Sequence, residues 1–282
     1  MRHLELFAGI GGFRRAMDLL TQDHIMDFHC IGYSEIDAKA VKTYCANYHP
    51  EVDGELAMGD IVEFTSNKNN MDNLPQFDLV TGGFPCQTFS MMGKQAGFNE
   101  DRGQMFFHII DILAAKMPRY VLLENVKNLK SHDKGRTFAR IKQELEALGY
   151  QVFTDIFNTA QFHLPQTRNR LLIFATTEPV PADFEVQFTC DNIAGLFDQV
   201  YQDLGTYHYQ SVNDILSLDV DQKYFLSERI KPTLLADGSA NFKSKSDINM
   251  SIARPLTATM HKMHRACQDN YYSQDFIESH GT

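Results

Sequence analysis

The first 177 residues alternate short β-rich apolar runs with amphipathic stretches, and this alternation constrains the fold more than any other feature of the chain. A strand followed by a helix before the next strand cannot close a hairpin, so the repeat builds a parallel sheet with helices on both faces. Strands are predicted at 3–7, 28–35, 56–60, 78–84, 120–126, 151–157 and 170–176. Over 136–148, Phe138, Ile141, Leu145 and Leu148 recur at helical spacing and line one face, and Gly149 offers a C-terminal stop. The pattern breaks at Pro179-Val180-Pro181, and no βα repetition follows. The expected fold is α/β, doubly wound and mostly parallel over 1–177, with a smaller mixed region over 178–282.

Composition excludes several alternatives. No apolar run approaches the roughly 18 residues of a membrane span, and the opening MRHLELFAG lacks the apolar stretch of a signal peptide. A cytoplasmic protein is expected. Five cysteines at wide spacing, with no CxxC pair, argue against disulfides and against a cysteine-based metal site. The net charge of −10 gives no general attraction to nucleic acid. Between Arg229 and Arg265, however, seven basic residues stand against two acidic ones. That stretch is either a solvated loop surface or a local anion-binding face.

Chemistry-bearing residues recur where predicted strands end. The first strand runs into L-E-L-F-A-G-I-G-G-F, Leu4 to Phe13, whose glycines permit a tight turn before a helix whose N-terminus presents free N–H groups. Alone this is a structural turn or a cofactor loop. The second strand ends at Ser34-Glu35, where a carboxylate can accept both hydroxyls of a ribose or cap a helix. The third ends at Gly59-Asp60, where Asp60 can accept from an adenine amino group or again cap a helix. Three such features in the order a doubly wound fold requires point to an adenosyl cofactor. The fourth strand leads into G-G-F-P-C-Q-T-F-S, Gly82 to Ser90, which places Cys86 on a loop at the ligand-binding edge. The fifth ends in E-N-V, putting Glu124 at the same edge, and Q-T-R-N-R, Gln166 to Arg170, carries two arginines that point one way if extended.

These runs, in this order, resemble the bacterial DNA (cytosine-5)-methyltransferases of restriction–modification type. The resemblance covers about 1–177 and implies a Rossmann-like methyltransferase sheet forming an S-adenosylmethionine-dependent catalytic domain, with a target-recognition region after it. It implies that Phe7, Ala8, Gly9, Ile10, Gly11, Gly12, Glu35, Ile36, Asp60, Ile61 and Pro85 hold S-adenosylmethionine. It further implies that Cys86 attacks carbon 6 of cytosine and that Glu124 engages ring nitrogen 3 and the amino group. Arg168 and Arg170 then steady the Cys86 loop and the keto oxygen. The chemistry agrees with the residue types: a thiolate at carbon 6 makes carbon 5 enamine-like, Glu124 in a dry pocket serves as the acid, and an arginine stabilises developing charge. No metal is implied.

The implied partner is duplex DNA with the target cytosine extruded from the stack. Gln87, beside Cys86, is an implied DNA contact, and Ser90, Lys94 and Arg102 fall in a segment, 90–102, that resembles the loop closing over DNA in the family. Within the basic stretch, Arg254, Thr257, Thr259, Lys262 and Arg265 suit phosphate and base-edge contacts. The family usually continues into a further block and a closing Gly-Asn-Ser segment, and neither follows before Glu278–Thr282. A split enzyme completed by a second polypeptide, a shortened chain, or a DNA- or cofactor-binding pseudoenzyme would each fit. A related tRNA cytosine-5 methyltransferase shares the thiol mechanism.

Overall fold

The computed structural model describes residues 1–85, 105–204, 209, 211–217, 219–239, 242–243, 245–256 and 266–279. Seven strands, β1 (Arg2–Leu6), β2 (His29–Ser34), β3 (Leu56–Ala57), β4 (Leu79–Gly83), β5 (Tyr120–Val126), β6 (Gln151–Asn158) and β7 (Asn169–Thr176), form one sheet in the order β3-β2-β1-β4-β5-β7-β6. All seven stand where the alternation predicts them. The β1–β2, β1–β4, β2–β3 and β4–β5 pairs are parallel, and β7 runs antiparallel to β5. The chain moves outward from β1 to β3 and then returns to β4 on the other side of β1. The switch point therefore lies between β1 and β4, and ligands of open α/β sheets bind outside the carboxyl ends of the strands there.

Helices α1 (Gly12–Gln22), α2 (Ala38–Tyr48), α3 (Pro50–Asp53), α4 (Ile61–Ser66), α5 (Lys68–Asn73), α6 (Met105–Lys116) and α7 (Arg136–Ala147) fill the connections. The predicted face of α7 is the observed one: Ile141 and Leu145 are fully buried, with Phe138 and Leu148 packed against the same cluster. Strand alternation sorts β1 in two directions. Leu4 and Leu6 join the main apolar core with Phe106, Ile109, Ile112 and Leu113 of α6. His3 and Glu5, equally buried, meet polar partners instead: His3 Nε2 pairs with Thr81 Oγ1 at 2.7 Å, and Glu5 accepts from the backbone of α1.

The chain divides into two compact units, Met1–Ile156 with Arg170–Thr189, and Phe157–Asn169 with Cys190–Thr282. The first extends past the sequence boundary at 178 for an aromatic reason. Phe184, which opens α8 (Phe184–Gln187), and Phe188 pack on the outer strands, Phe184 edge-on to Phe153 at 4.7 Å and Phe188 stacked on Phe174 at 5.6 Å. The second unit also takes the segment 157–169 out of the catalytic stretch. Thr167 N donates to Ala253 O, and Ala253 N to Pro165 O, each at 2.8 Å. This unit holds α9 (Cys190–Leu204), α10 (Lys231–Leu235), the two-stranded antiparallel ribbon of β8 (Gly238–Ser239) and β9 (Phe242–Lys243), and α11 (Gln274–Ser279). Among the described residues no helix is long and apolar enough to cross a membrane, and no group of His, Cys, Asp and Glu could hold a metal ion.

Candidate active site at the carboxyl edge of the sheet

Where β1 ends, the backbone turns through left-handed conformations at Phe7, Gly9 and Gly11, with φ of 53°, 57° and 88°. The loop is braced from behind. Tyr48 Oη donates to Gly11 O at 2.7 Å, and a Cβ on Gly11 would lie 2.2 Å from the Tyr48 ring. The Arg14 guanidinium stacks over that ring at 5.4 Å and is paired with Asp18, Asp53 and the buried Glu55. Tyr33 and Tyr44 stack beneath at 4.2 Å. Sequence reading missed Tyr48, because a tyrosine at the end of an amphipathic helix carries no local signal of the loop it supports.

Most of the loop amides already have acceptors inside the protein, contrary to the expectation of free N–H groups at the start of α1. Glu5 accepts from Phe13 N and Arg14 N, each at 3.1 Å, Gly11 N donates to Ala8 O at 2.8 Å, and Gly9 N donates to Glu35 Oε2 at 2.8 Å. Glu35 Oε1 accepts from Ile36 N and Asp37 N, both at 2.8 Å. Glu35 is thus locked at the end of β2 with both oxygens facing the glycine loop and the α2 start. Burial pushes the Glu5 carboxyl up to about 8, against the pull of the two amides and of Arg14.

The remaining predicted cofactor positions divide. Ile10 and Ile36 are 62% and 74% exposed, unusual for side chains of that size, and a Cβ at Gly9, Gly12 or Gly59 would meet nothing within 4 Å. Open space and exposed apolar surface therefore flank the Glu35 carboxylate. Phe7 is half-buried, Ala8 is buried, and Pro85 is exposed at the end of the described stretch. Asp60 acts as a cap, its Oδ1 accepting from Val62 N at 2.8 Å at the start of α4. Ile61 is only 2% exposed and belongs to the core.

At the far side of the switch point, β4 and β5 end in register, with Gly83 opposite Glu124. A Cβ on Gly83 would lie 3.2 Å from Glu124 Oε2, so glycine leaves room for the carboxylate. The antiparallel β7 sets Leu172 opposite Glu124 and Arg170 opposite Val126. Glu124 and Arg170 are diagonal neighbours on one face, and Arg170 Nε meets Glu124 Oε1 at 2.5 Å. The carboxylate is about a quarter exposed and charge-paired, where the sequence suggested a dry pocket. Asn125, buried at 2% exposure, ties the two strand ends together: Nδ2 donates to Phe84 O at 2.9 Å and Oδ1 accepts from Val126 N at 2.8 Å.

Arg168 precedes β7 and lies in the second unit, where its backbone N donates to Thr159 Oγ1 at 3.0 Å. Arg170 stands inside β7 and Arg168 just before it, with the Arg168 carbonyl accepting from Thr159 N at 3.2 Å. Arg254 is turned inward: its guanidinium meets Asp247 O at 3.2 Å, Asp247 Oδ2 at 3.7 Å and Asp269 O at 3.5 Å. Its charge is paired within the second unit. Cys86, Gln87, Ser90, Lys94, Arg102, Thr257, Thr259, Lys262 and Arg265 lie outside the described residues. Of the other cysteines, Cys30 is buried, and burial with the nearby Glu55 pushes its thiol up to about 12, too high for a nucleophile at neutral pH.

A doubly wound sheet with a glycine loop at its switch point, a carboxylate fixed at the end of β2 and a charge-paired carboxylate at the end of β5 defines an α/β protein of the adenosyl-cofactor methyltransferase class. Within that class the chain belongs to the C-5 cytosine-specific DNA methylase family, whose profile matches residues 1–281. It is 37% identical over 227 residues to the type II methyltransferase M.NlaX of Neisseria lactamica, covering 80% of this chain and 63% of that one. It is 34% identical over 241 residues to the orphan methyltransferase M.Rho11sI of Bacillus phage rho11s, covering 81% and 46%. The chain spans about half the length of the curated relatives it matches. In fold it is similar to Dnmt2 of S. pombe, with a TM-score of 0.67 at 19% identity over 95% of this chain and 74% of that one. The Entamoeba histolytica methyltransferase EhMeth gives 0.65 at 18% identity over 98% and 80%.

Proposed function

We propose that the chain carries the catalytic part of an S-adenosylmethionine-dependent DNA cytosine-5 methyltransferase. The observation that carries this reading is the Glu124–Arg170 pair, set at the carboxyl edge in register with the strand that leads into Cys86. The residues around the glycine loop fit the cofactor. Glu35 offers oxygens for ribose hydroxyls, while Ile10 and Ile36 offer apolar surface to an adenine. A loop whose amides are already satisfied, beside a fixed carboxylate, suits a ligand bearing positive charge better than a phosphate. S-adenosylmethionine bound there supplies an electrophilic methyl group.

The chain's own residues supply the activation. The Cys86 thiolate adds to carbon 6 of an extruded cytosine, and the electron pair of the 5,6 double bond moves toward carbon 5. Glu124 shares its proton with ring nitrogen 3, which offsets the charge that develops in the ring. Arg170 orients Glu124 and faces the developing charge at the keto oxygen. After methylation, loss of the carbon 5 proton to a base expels the thiolate and restores the double bond.

The test is transfer of tritiated methyl from labelled S-adenosylmethionine, with duplex DNA and tRNA as separate acceptors. The assay is run with and without a polypeptide carrying the segments by which the relatives exceed this chain. Label on cytosine carbon 5 of DNA is expected. Cofactor binding without transfer to either acceptor, with or without the added polypeptide, would support a pseudoenzyme instead.

A further inference from the structure

We infer that Lys127, Lys130 and Lys134 form a phosphate-gripping surface for the DNA strand whose base meets Glu124, an inference that rests on the function proposed above. The segment begins where β5 ends, three residues beyond Glu124. Lys127–Lys130 is a single 3₁₀ turn, and residues three apart in such a turn eclipse, so Lys127 and Lys130 project from one side. Leu129, fully buried between them, pins the turn to the core, while all three lysines are exposed.

The next turn is held in an uncommon shape. Asp133, Lys134 and Gly135 have successive φ values of 50°, 58° and 84°. Non-glycine residues there cost energy and persist only where the surroundings impose them. Here the constraint comes from His132 Nδ1, which meets Thr137 Oγ1 at 2.7 Å, and from the Asp133–Arg136 ion pair.

Charge pairing sets these lysines apart from their neighbours. Asp133, the one acid between Lys127 and Arg136, is spent on Arg136. Arg140 pairs with Glu144 at 2.5 Å and Lys142 with Glu146 at 3.6 Å. None of Lys127, Lys130 and Lys134 has an acidic partner among the described residues. In a chain of net charge −10, positive charge left unneutralised beside the candidate catalytic carboxylate fits a polyanion, and duplex DNA is the one the neighbouring site calls for.

The test measures binding of the full chain to mixed-sequence duplex DNA by fluorescence anisotropy across a salt series. K127Q/K130Q/K134Q is compared with wild type and with K42Q/K68Q/K116Q, which removes equal charge elsewhere. The patch variant is expected to lose about 0.9 from the log–log salt slope per engaged lysine, and about eightfold in affinity per lysine at 0.1 M salt. Its thermal midpoint and cofactor affinity should stay unchanged. Equal losses in both triples, an unchanged slope in the patch variant, or no measurable binding of DNA by wild type would each overturn the inference. So would a patch-dependent salt slope seen with tRNA but not with duplex DNA. A patch-dependent DNA slope in a chain that transfers no methyl group would uphold the surface and overturn the methyl-transfer reading alone.

Discussion

Glu124 sits beside a guanidinium with about a quarter of its side chain exposed, so its carboxylate is positioned by charge and strand register together. Glu124→Gln introduces an amide that cannot exchange a proton with ring nitrogen 3 and removes the ionic half of the Arg170 contact. The expected result is a fall in kcat of about a hundredfold or more, with the KM for DNA little changed, read from steady-state methyl transfer. A KM that rises in proportion would make Glu124 a binding residue. Cys86→Ser should abolish transfer while calorimetric affinity for S-adenosylmethionine survives, since a hydroxyl is far less nucleophilic than a thiolate at neutral pH. Asn125 has a different job, fastening the end of β4 to the end of β5. Asn125→Ala removes both hydrogen bonds of this buried side chain, to Phe84 O and from Val126 N, for a cost of about 1–3 kcal/mol in urea unfolding. Unaltered stability would show that the two strand ends hold their places without it.

The glycine loop and α2 behave as one element joined through Tyr48. Gly11→Ala would drive a methyl group into the Tyr48 ring at a φ of +88°, so strain and steric overlap act together. A loss of stability in the range of about 1–3 kcal/mol is expected, together with weaker cofactor binding. Tyr48→Phe keeps the ring and its tilted contact with Tyr44 but removes the hydrogen bond to Gly11 O. Its expected effect is confined to the loop: a several-fold weaker affinity for S-adenosylmethionine by calorimetry, with the thermal midpoint nearly unchanged. If both variants bind the cofactor like wild type, the loop does not depend on this brace.

For the molecule as a whole, two buried groups in β1 shape the dependence of stability on pH. Burial, with Arg14 adding to it, lowers His3 from the ordinary 6.5 to about 3, while Glu5 rises from 4.5 to about 8. Between pH 3 and 6.5 the unfolded chain holds a proton on His3 that the folded chain does not, so stability is lost as pH falls through that window. Between 4.5 and 8 the folded chain holds a proton on Glu5 that the unfolded chain has released, so stability is lost as pH rises. Each slope is about 1.4 kcal/mol per pH unit, and they cancel between 4.5 and 6.5. These two groups therefore give a plateau of maximal stability there, with a decline toward pH 8. Glu5→Gln should flatten that decline in urea titrations at pH 6.5 and 8, and an unaltered decline would rule out Glu5 as its source.

The seven strands, the helical face of α7 and the ordering of Glu35, Gly59-Asp60 and Glu124 along successive strand ends were all legible in the sequence. They depend on side-chain periodicity and turn chemistry, which are fixed by near neighbours in the chain. The partner that each polar group takes was not legible. Arg170 reaches Glu124 only because β7 enters the sheet antiparallel between β5 and β6, and Asp60 serves as a cap because α4 starts there. Arg254 turns inward because Asp247 and Asp269 converge on it, and the segment 157–169 joins the second unit through Ala253. Each of these choices pairs residues that are distant in sequence. A linear pattern shows which groups need partners, but only the folded chain brings a particular partner within hydrogen-bonding distance.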